Sequence, residues 1–218
     1  AFPGGFGNSD LRMPDYEIPY ETISRASITK GVLSENVRKF SSNLNYPSQY
    51  RVYTPAGYNE LSDLPVIYVT DGHEFSDDLL GKMKIVLDNL IFDGTIKPVI
   101  AIFLDPRDPD NLSNNRRDYE YRNNINFVNY VTQELIPDID KAYKTNAIAD
   151  ARAIAGFSYG GYNAAYFCVK GNEYIHNIAM LSPIMHPMEN YDIDTDLKTT
   201  DLTDMNLYLS YGIFDTRE

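Results

Sequence analysis

The chain has 218 residues, 43% hydrophobic and 13% aromatic, which is enough for one α/β domain with a sizeable core. Its net charge of −12 would repel nucleic acid, and no basic patch interrupts this acidity, so a nucleic-acid partner is excluded. No apolar run approaches the length needed to span a membrane, and the single cysteine, Cys168, cannot form an intrachain disulfide.

The beginning of the chain differs in composition from the rest. Residues 1–20 are rich in glycine and proline and predict an extended arm, followed by a single domain over residues 21–218. Polar and apolar residues then alternate over residues 23–33, as in an exposed edge strand.

Short apolar strands and amphipathic helices alternate along the remainder of the chain. The predicted strands are residues 50–54, 64–70, 99–104, 151–157, 178–181 and 207–211, and the predicted helices are residues 79–91, 125–143 and 159–169. Pro137 is expected to kink the helix over residues 125–143. The alternation predicts an α/β fold with a mostly parallel central sheet and helices on both faces.

Parallel sheets place their active sites beyond the carboxyl ends of the strands, so residues that follow strands are site candidates. One of them is a motif: Gly156, Ser158 and Gly160 match G-x-S-x-G between a predicted strand and a predicted helix. In the α/β-hydrolase fold this pattern exposes a nucleophilic serine on a sharp turn, with the glycines leaving room for it. Ser158 is therefore the candidate nucleophile, and a glycine-rich turn without chemistry is the alternative.

A serine nucleophile needs an acid, a base and an oxyanion hole. Asp215 follows the last predicted strand, where α/β-hydrolases carry the acid. The oxyanion donors are expected to be the backbone N–H groups of Tyr159, directly after the nucleophile, and of His73, in the loop after residues 64–70.

The base is not evident from the sequence. In α/β-hydrolases it follows the acid, but His73, His176 and His186 all precede Asp215. His176 begins a predicted strand and so belongs at the opposite end of the sheet, whereas His186 follows a strand and is a weaker candidate as base or substrate contact. The preferred expectation is that the histidine, with a final strand and helix, lies beyond residue 218.

Further charged residues near strand ends have two interpretations. Asp71, Arg107 and Arg117 are possible substrate contacts, and ordinary salt bridges are the alternative.

An acidic run later in the chain has partial metal-loop spacing. Asp192, Asp194 and Asp196 are spaced like EF-hand ligands, but Leu197 and Thr203 replace the required glycine and glutamate. We expect a solvated acidic loop, no metal site and no cofactor.

Several segments match one known family. They are residues 51–58, 64–72, 116–121 with Phe127 and residues 134–137, 155–161, 181–183 and 211–215. Together they resemble the Putative esterase family, which includes feruloyl and acetylxylan esterases, esterase D and enterochelin esterases. The Asp71-Gly72 pair is more similar to the enterochelin-esterase branch than to the His-Gly branch.

The resemblance implies a serine carboxylic-ester hydrolase, and the first expectation for its substrate is a small-molecule or carbohydrate ester of plant cell walls, feruloyl or acetyl xylan. A siderophore lactone is the second candidate, and a thioester such as S-formylglutathione the third. A non-catalytic carbohydrate-binding module is the alternative from another class. The expected location is secreted or periplasmic, with cytoplasmic as the alternative, and the oligomeric state stays open.

Overall fold

The structure, a computed structural model, describes residues 15–185 and 191–212. Residues 1–14 of the predicted arm lie outside the described residues, as do His186 and Asp215. The strands of the described part are β1 (Val32–Leu33), β2 (Val37–Ser41), β3 (Tyr46–Thr54), β4 (Val66–Val69), β5 (Ile100–Asp105), β6 (Arg107–Asp108), β7 (Asn111–Asn115), β8 (Arg152–Phe157), β9 (Asn177–Leu181) and β10 (Asn206–Ser210). Its α-helices are α1 (Gly72–Phe75), α2 (Met83–Phe92), α3 (Arg117–Tyr121), α4 (Ile125–Asn129), α5 (Ile136–Ala142), α6 (Tyr159–Lys170) and α7 (Ile193–Thr199).

One large sheet organises the described part of the chain. Its strand order is β1-β3-β5-β4-β8-β9-β10, and β2 pairs with β3. The five strands from β5 to β10 in this order run parallel, whereas β3 is antiparallel to β1, β2 and β5. The predicted mostly parallel sheet is confirmed, and the carboxyl ends of β4, β8 and β9 meet at one edge.

Apolar residues fill both faces of this sheet. Tyr68 and Ile102 belong to the larger cluster, which α6 covers, while Val69 and Phe103 belong to a second cluster with Leu87 of α2. Since neighbouring strand residues point to opposite faces, central strands must be apolar throughout, which explains the fully buried β5.

Near the start of the sheet, one predicted strand is wrong over most of its length and another is present but longer than predicted. The edge strand expected over residues 23–33 is reduced to β1, because the side chains of α2 occupy the hydrogen-bonding groups of the preceding segment. Asn89 Nδ2 donates to Ile23 O at 2.9 Å, and the Gly31 N–H donates to Asp88 Oδ1 at 2.7 Å. The strand expected over residues 50–54 begins at Tyr46, since Pro47 fits into the β2–β3 pairing opposite Phe40.

The long helix predicted over residues 125–143 is interrupted by a π-helical segment instead of the expected kink at Pro137. A π-helical turn over Tyr130–Leu135 joins α4 to α5, and Pro137 lies in the first turn of α5. Proline lacks an N–H and its ring crowds the carbonyl four residues earlier, so a wider turn before it relieves this conflict. Within the described ranges, no helix combines the length and the apolar character required to cross a membrane.

Asp88 anchors the segment before β1 to the core. Its buried carboxylate accepts hydrogen bonds from the Tyr53 hydroxyl at 2.9 Å, the Gly31 N–H at 2.7 Å and Lys84 Nζ at 2.8 Å. Asp88→Ala leaves these donors unpaired and should lower the free energy of unfolding by about 2–4 kcal/mol in urea denaturation. Asp93→Ala removes a more exposed ion pair to Arg25 and should cost less than about 1 kcal/mol; equal losses would contradict the anchor.

Candidate active site

The turn between β8 and α6 holds Ser158 in an unusual backbone conformation. Its φ is 59° and its ψ is −116°, a region that residues other than glycine seldom occupy. The Ser158 N–H donates to Leu181 O at 3.0 Å, and its carbonyl accepts from the N–H groups of Tyr162 at 3.0 Å and Ile184 at 3.3 Å. The surrounding chain therefore fixes this residue from both sides. Its hydroxyl has no hydrogen-bond partner among the described residues.

The two glycines of the motif are required by close packing around this turn. A Cβ built on Gly156 would lie 2.2 Å from Gly160 O and 2.4 Å from Thr70 Oγ1, and one on Gly160 would lie 2.3 Å from Thr70 Oγ1. These distances are far below any van der Waals contact, so larger residues would push β8, α6 and β4 apart. The glycines of G-x-S-x-G are therefore required by the close packing of β8, α6 and β4.

Both predicted oxyanion donors have free backbone N–H groups. Tyr159 is the first residue of α6 and His73 the second of α1, and neither amide has an acceptor in the described part of the chain. In α1, the N–H groups of Glu74 and Phe75 instead donate to Asp71 O at 2.9 and 3.2 Å. First-turn amides of a helix lack intrahelical partners and favour negative charge.

Strand pairing brings these two amides to the same edge of the sheet. β4 and β8 are parallel neighbours with Val69 opposite Ala155, and the Thr70 N–H extends their pairing to Ala155 O at 3.0 Å. The segments carrying His73 and Tyr159 leave the sheet side by side, and Ser158 lies between its two flanking elements. Within the described part of the chain, the Ser158 turn therefore lies beside two backbone amides that have no acceptor.

The ring of His73 lies away from solvent and beside carboxylates. Its Nδ1 is 3.5 Å from Asp105 Oδ1, and its Nε2 is 3.8 Å from Glu74 Oε1. Burial lowers the pKa of His73, and Asp105 partly opposes this effect. Asp105 is already bound by Arg107, whose Nε and Nη2 donate to it at 2.9 and 2.8 Å. His73, Asp105 and Arg107 line a cavity of about 760 Å³ next to the loop that joins β4 to α1, which is large enough for a ligand.

Asp71 and Arg117 form a second ion pair, on the side of this loop that adjoins the Ser158 turn. Arg117 Nε donates to Asp71 Oδ1 at 2.8 Å, and Arg117 Nη2 donates to Phe157 O at 3.2 Å. Burial raises the pKa of Asp71 to about 6, although Arg117 opposes the rise. The Asp71 side chain is 5% exposed, so its carboxylate faces the protein.

A buried carboxyl that the sequence analysis missed lies behind this pair. Glu120 is 2% exposed and accepts a hydrogen bond from the Tyr46 hydroxyl at 3.0 Å. Burial raises the pKa of Glu120 to about 8, with Tyr46 and Arg116 acting in the opposite direction. The available signal was its spacing, because Glu120 lies three residues after Arg117 and shares the inward face of α3.

Two further features of the sequence, His176 and the acidic run that begins at Asp192, lie outside this site. His176 directly precedes β9, at the amino end of the sheet, with its Nδ1 2.5 Å from Asp150 Oδ1. Asp192 caps α7 by accepting the Asp194 N–H at 3.0 Å. Across residues 15–185 and 191–212, no three His, Cys, Asp or Glu side chains are grouped to hold a metal ion.

The buried Glu120 predicts a pH dependence of stability. Its folded-state pKa of about 8 exceeds its ordinary value of 4.5, so between these values the folded protein holds a proton that the unfolded chain releases. Its stabilising contribution is complete below about pH 4.5 and is lost as the pH rises through about 8. Denaturation from pH 5 to 8 should show wild-type stability falling relative to Glu120→Gln, by at most about 1.4 kcal/mol per pH unit. Glu60→Gln, at an exposed position, serves as control, and parallel curves for wild type and Glu120→Gln would refute the assignment.

Two known proteins are similar to this chain in sequence. A sequence relative from Xylanibacter ruminicola, "Endo-1,4-beta-xylanase/feruloyl esterase", is 29% identical over 76% of this chain and 24% of its own length. The uncharacterized Bacillus subtilis protein YjcH is 25% identical over 81% of this chain and 71% of its own length.

Solved structures of esterases share the fold. The enterobactin esterase of Shigella flexneri superposes with a TM-score of 0.71 at 21% identity, over 89% of this chain and 49% of that one. A CE1 ferulic acid esterase of Anaeromyces mucronatus gives a TM-score of 0.64 at 17% identity, over 84% and 71%. The chain thus spans about a quarter of the Xylanibacter protein and half of the Shigella structure.

These likenesses agree with the α/β-hydrolase type of sheet described above. The family model for Putative esterase matches residues 41–205, which include β3 to β9 and the whole Ser158 turn. The chain belongs to the Putative esterase family.

Proposed function

We propose that this chain is the catalytic domain of a serine carboxylic-ester hydrolase, with Ser158 as its nucleophile. The observation that carries the proposal is the positive φ of Ser158 between two free amides, those of Tyr159 and His73. A backbone strain of this kind persists only where the surroundings enforce it, and such strain concentrates at active sites. Membership of an esterase family supports the same reaction class.

In the proposed reaction, Ser158 Oγ attacks the ester carbonyl while a histidine accepts the hydroxyl proton. The carbonyl oxygen becomes negatively charged and accepts hydrogen bonds from the Tyr159 and His73 N–H groups. The histidine then returns the proton to the departing alcohol, leaving an acyl group on Ser158. Water, activated by the same histidine, releases the acid and restores the serine. No cofactor takes part in these steps.

The acid and the base of the proposal lie outside the described residues. Asp215 is the proposed acid that orients the histidine. For the base, His186 is one candidate and a residue beyond position 218 is the preferred one. The rings of the other two histidines are less suitable. His176 directly precedes β9, at the opposite end of the sheet from Ser158, and His73 lines the cavity beside Asp105, whose described lining does not include Ser158.

The proposed substrates are carbohydrate esters of plant cell walls, feruloyl or acetyl xylan. The name of the Xylanibacter relative supports this choice. The described lining of the cavity beside His73 adds to it, because three carboxylates (Glu74, Asp77, Asp105) and two guanidinium groups (Arg51, Arg107) offer acceptors and donors without a strong positive charge. Such a mixed lining suits neutral hydroxyl groups. A secreted or periplasmic location belongs to this proposal, and a cytoplasmic one is the alternative.

A siderophore lactone is the second candidate. It is favoured by the likeness to the Shigella enterobactin esterase and by the Asp71-Gly72 pair of the oxyanion loop. The net charge of −12 disfavours any negatively charged metal–siderophore complex, which places this candidate after the neutral carbohydrate esters.

The reaction class can be tested on the full-length protein with methyl ferulate, acetylated xylan oligosaccharides and enterobactin. Ser158→Ala should lower kcat by about 10⁴-fold or more, because the nucleophile is lost while binding remains. A fluorophosphonate should add to the wild-type protein, as seen by intact mass, and not to Ser158→Ala.

Ser182→Ala is the matched control, since Ser182 follows the neighbouring strand β9 and also has a positive φ of 40°. It should be labelled like wild type. Hydrolysis that survives in Ser158→Ala, or labelling that depends on another serine, would overturn the assignment. The preferred ester then separates the two substrate classes.

A further inference from the structure

We propose that Arg117 is a positioning residue that sets the distance between the two walls of the oxyanion hole, an inference that rests on the proposed ester hydrolysis. One wall is the loop from β4 into α1, and the other is the Ser158 turn. Arg117 lies on α3, which belongs to neither wall, and contacts both.

The first contact fixes the loop that carries His73. Arg117 Nε donates to Asp71 Oδ1 at 2.8 Å, and the hydroxyl of Tyr121 accepts the Asp71 N–H at 2.9 Å. Asp71 has a positive φ of 52° and directly precedes α1, so its position sets where α1 starts. α3 therefore holds this residue both by its side chain and by its backbone.

The second contact fixes the Ser158 turn. Arg117 Nη2 donates to Phe157 O at 3.2 Å, and its guanidinium carbon lies 5.3 Å from the ring centre of Tyr159. One planar group thus touches the residue before the nucleophile and the residue after it. A lysine carries a single ammonium group and could not make both polar contacts in this geometry.

The two contacts matter because an oxyanion hole works only when both donors lie about 2.7–3.1 Å from the same oxygen. A displacement of about 1 Å can reduce a rate about 100-fold. The Asp71 carboxylate is nearly inaccessible, and Arg117 is committed to protein partners on both sides. A positioning role accounts for this pairing better than the direct substrate contact that the sequence suggests.

The test uses the full-length protein and the best ester found for it. Arg117→Ala should lower kcat about 10–100-fold with KM changed less than about 3-fold, because binding before the reaction does not require the aligned hole. A boronic acid that forms a tetrahedral adduct on Ser158 should lose affinity in parallel with kcat, while the affinity for the product acid stays the same. Arg117→Lys should recover part of the loss, because it restores the charge opposite Asp71.

Arg116→Ala is the matched control. Arg116 is the preceding residue, similarly half-buried, but it pairs with Asp108 at 2.6 Å and with Pro47 O at 2.8 Å, away from both walls. Its kcat should stay within about 3-fold of wild type. Asp71→Asn, which keeps the size of the side chain, should lower kcat in the same way as Arg117→Ala and serves if that variant unfolds.

Three outcomes would overturn the inference. The first is a loss of kcat in Arg117→Ala no larger than in Arg116→Ala. The second is a raised KM at unchanged kcat, which is the result expected of a substrate contact. The third is a wild-type protein that hydrolyses no ester. This outcome refutes the proposed function itself, and it is told apart from the first two because it is seen in the wild type, before any variant is measured.

Discussion

The backbone conformation of Ser158 is the constraint on which the rest of the site depends. A positive φ at a residue with a side chain costs about 1–3 kcal/mol, and here the hydrogen bonds to Leu181, Tyr162 and Ile184 maintain it. The absence of a Cβ at Gly156 and Gly160 lets β8, α6 and β4 pack closely beside this turn. The backbone conformation of Ser158 therefore depends on how these elements pack around the turn.

The packing of β4 against β8 also determines which charge the site favours. Because β4 and β8 are parallel neighbours, each leads into a helix N-terminus at one edge of the sheet, where the amides of His73 and Tyr159 have no acceptor among the described residues. α3 stands behind both, with Arg117 between Asp71 and Phe157 and with Glu120 buried beneath. Because burial raises the pKa of Glu120 to about 8, the folded protein loses stability as the pH rises towards neutral. Losses of stability of this kind are common at functional sites.

Much of this arrangement could be predicted from sequence, for identifiable reasons. Strands buried on both faces leave continuous apolar runs, so β4, β5 and β8 can be predicted within a few residues, and G-x-S-x-G locates the turn into α6. The edge strand was wrong because alternation also occurs in a loop tied down by side chains such as Asp88. The Arg117–Asp71 and Tyr46–Glu120 contacts join residues 46 and 74 positions apart, so local spacing can place Arg117 and Glu120 on one face of α3 but cannot name their partners. Asp215 and His186 stay predictions.

The central claim is that Ser158, Tyr159 and His73 together form one reaction centre. The most direct measurement is a crystal structure of the full-length protein after inactivation by a fluorophosphonate. We expect phosphorus bonded to Ser158 Oγ, with one phosphonyl oxygen about 2.7–3.1 Å from the backbone nitrogens of both Tyr159 and His73. A phosphonate bound elsewhere, or one on Ser158 whose oxygen points away from both amides, would contradict it.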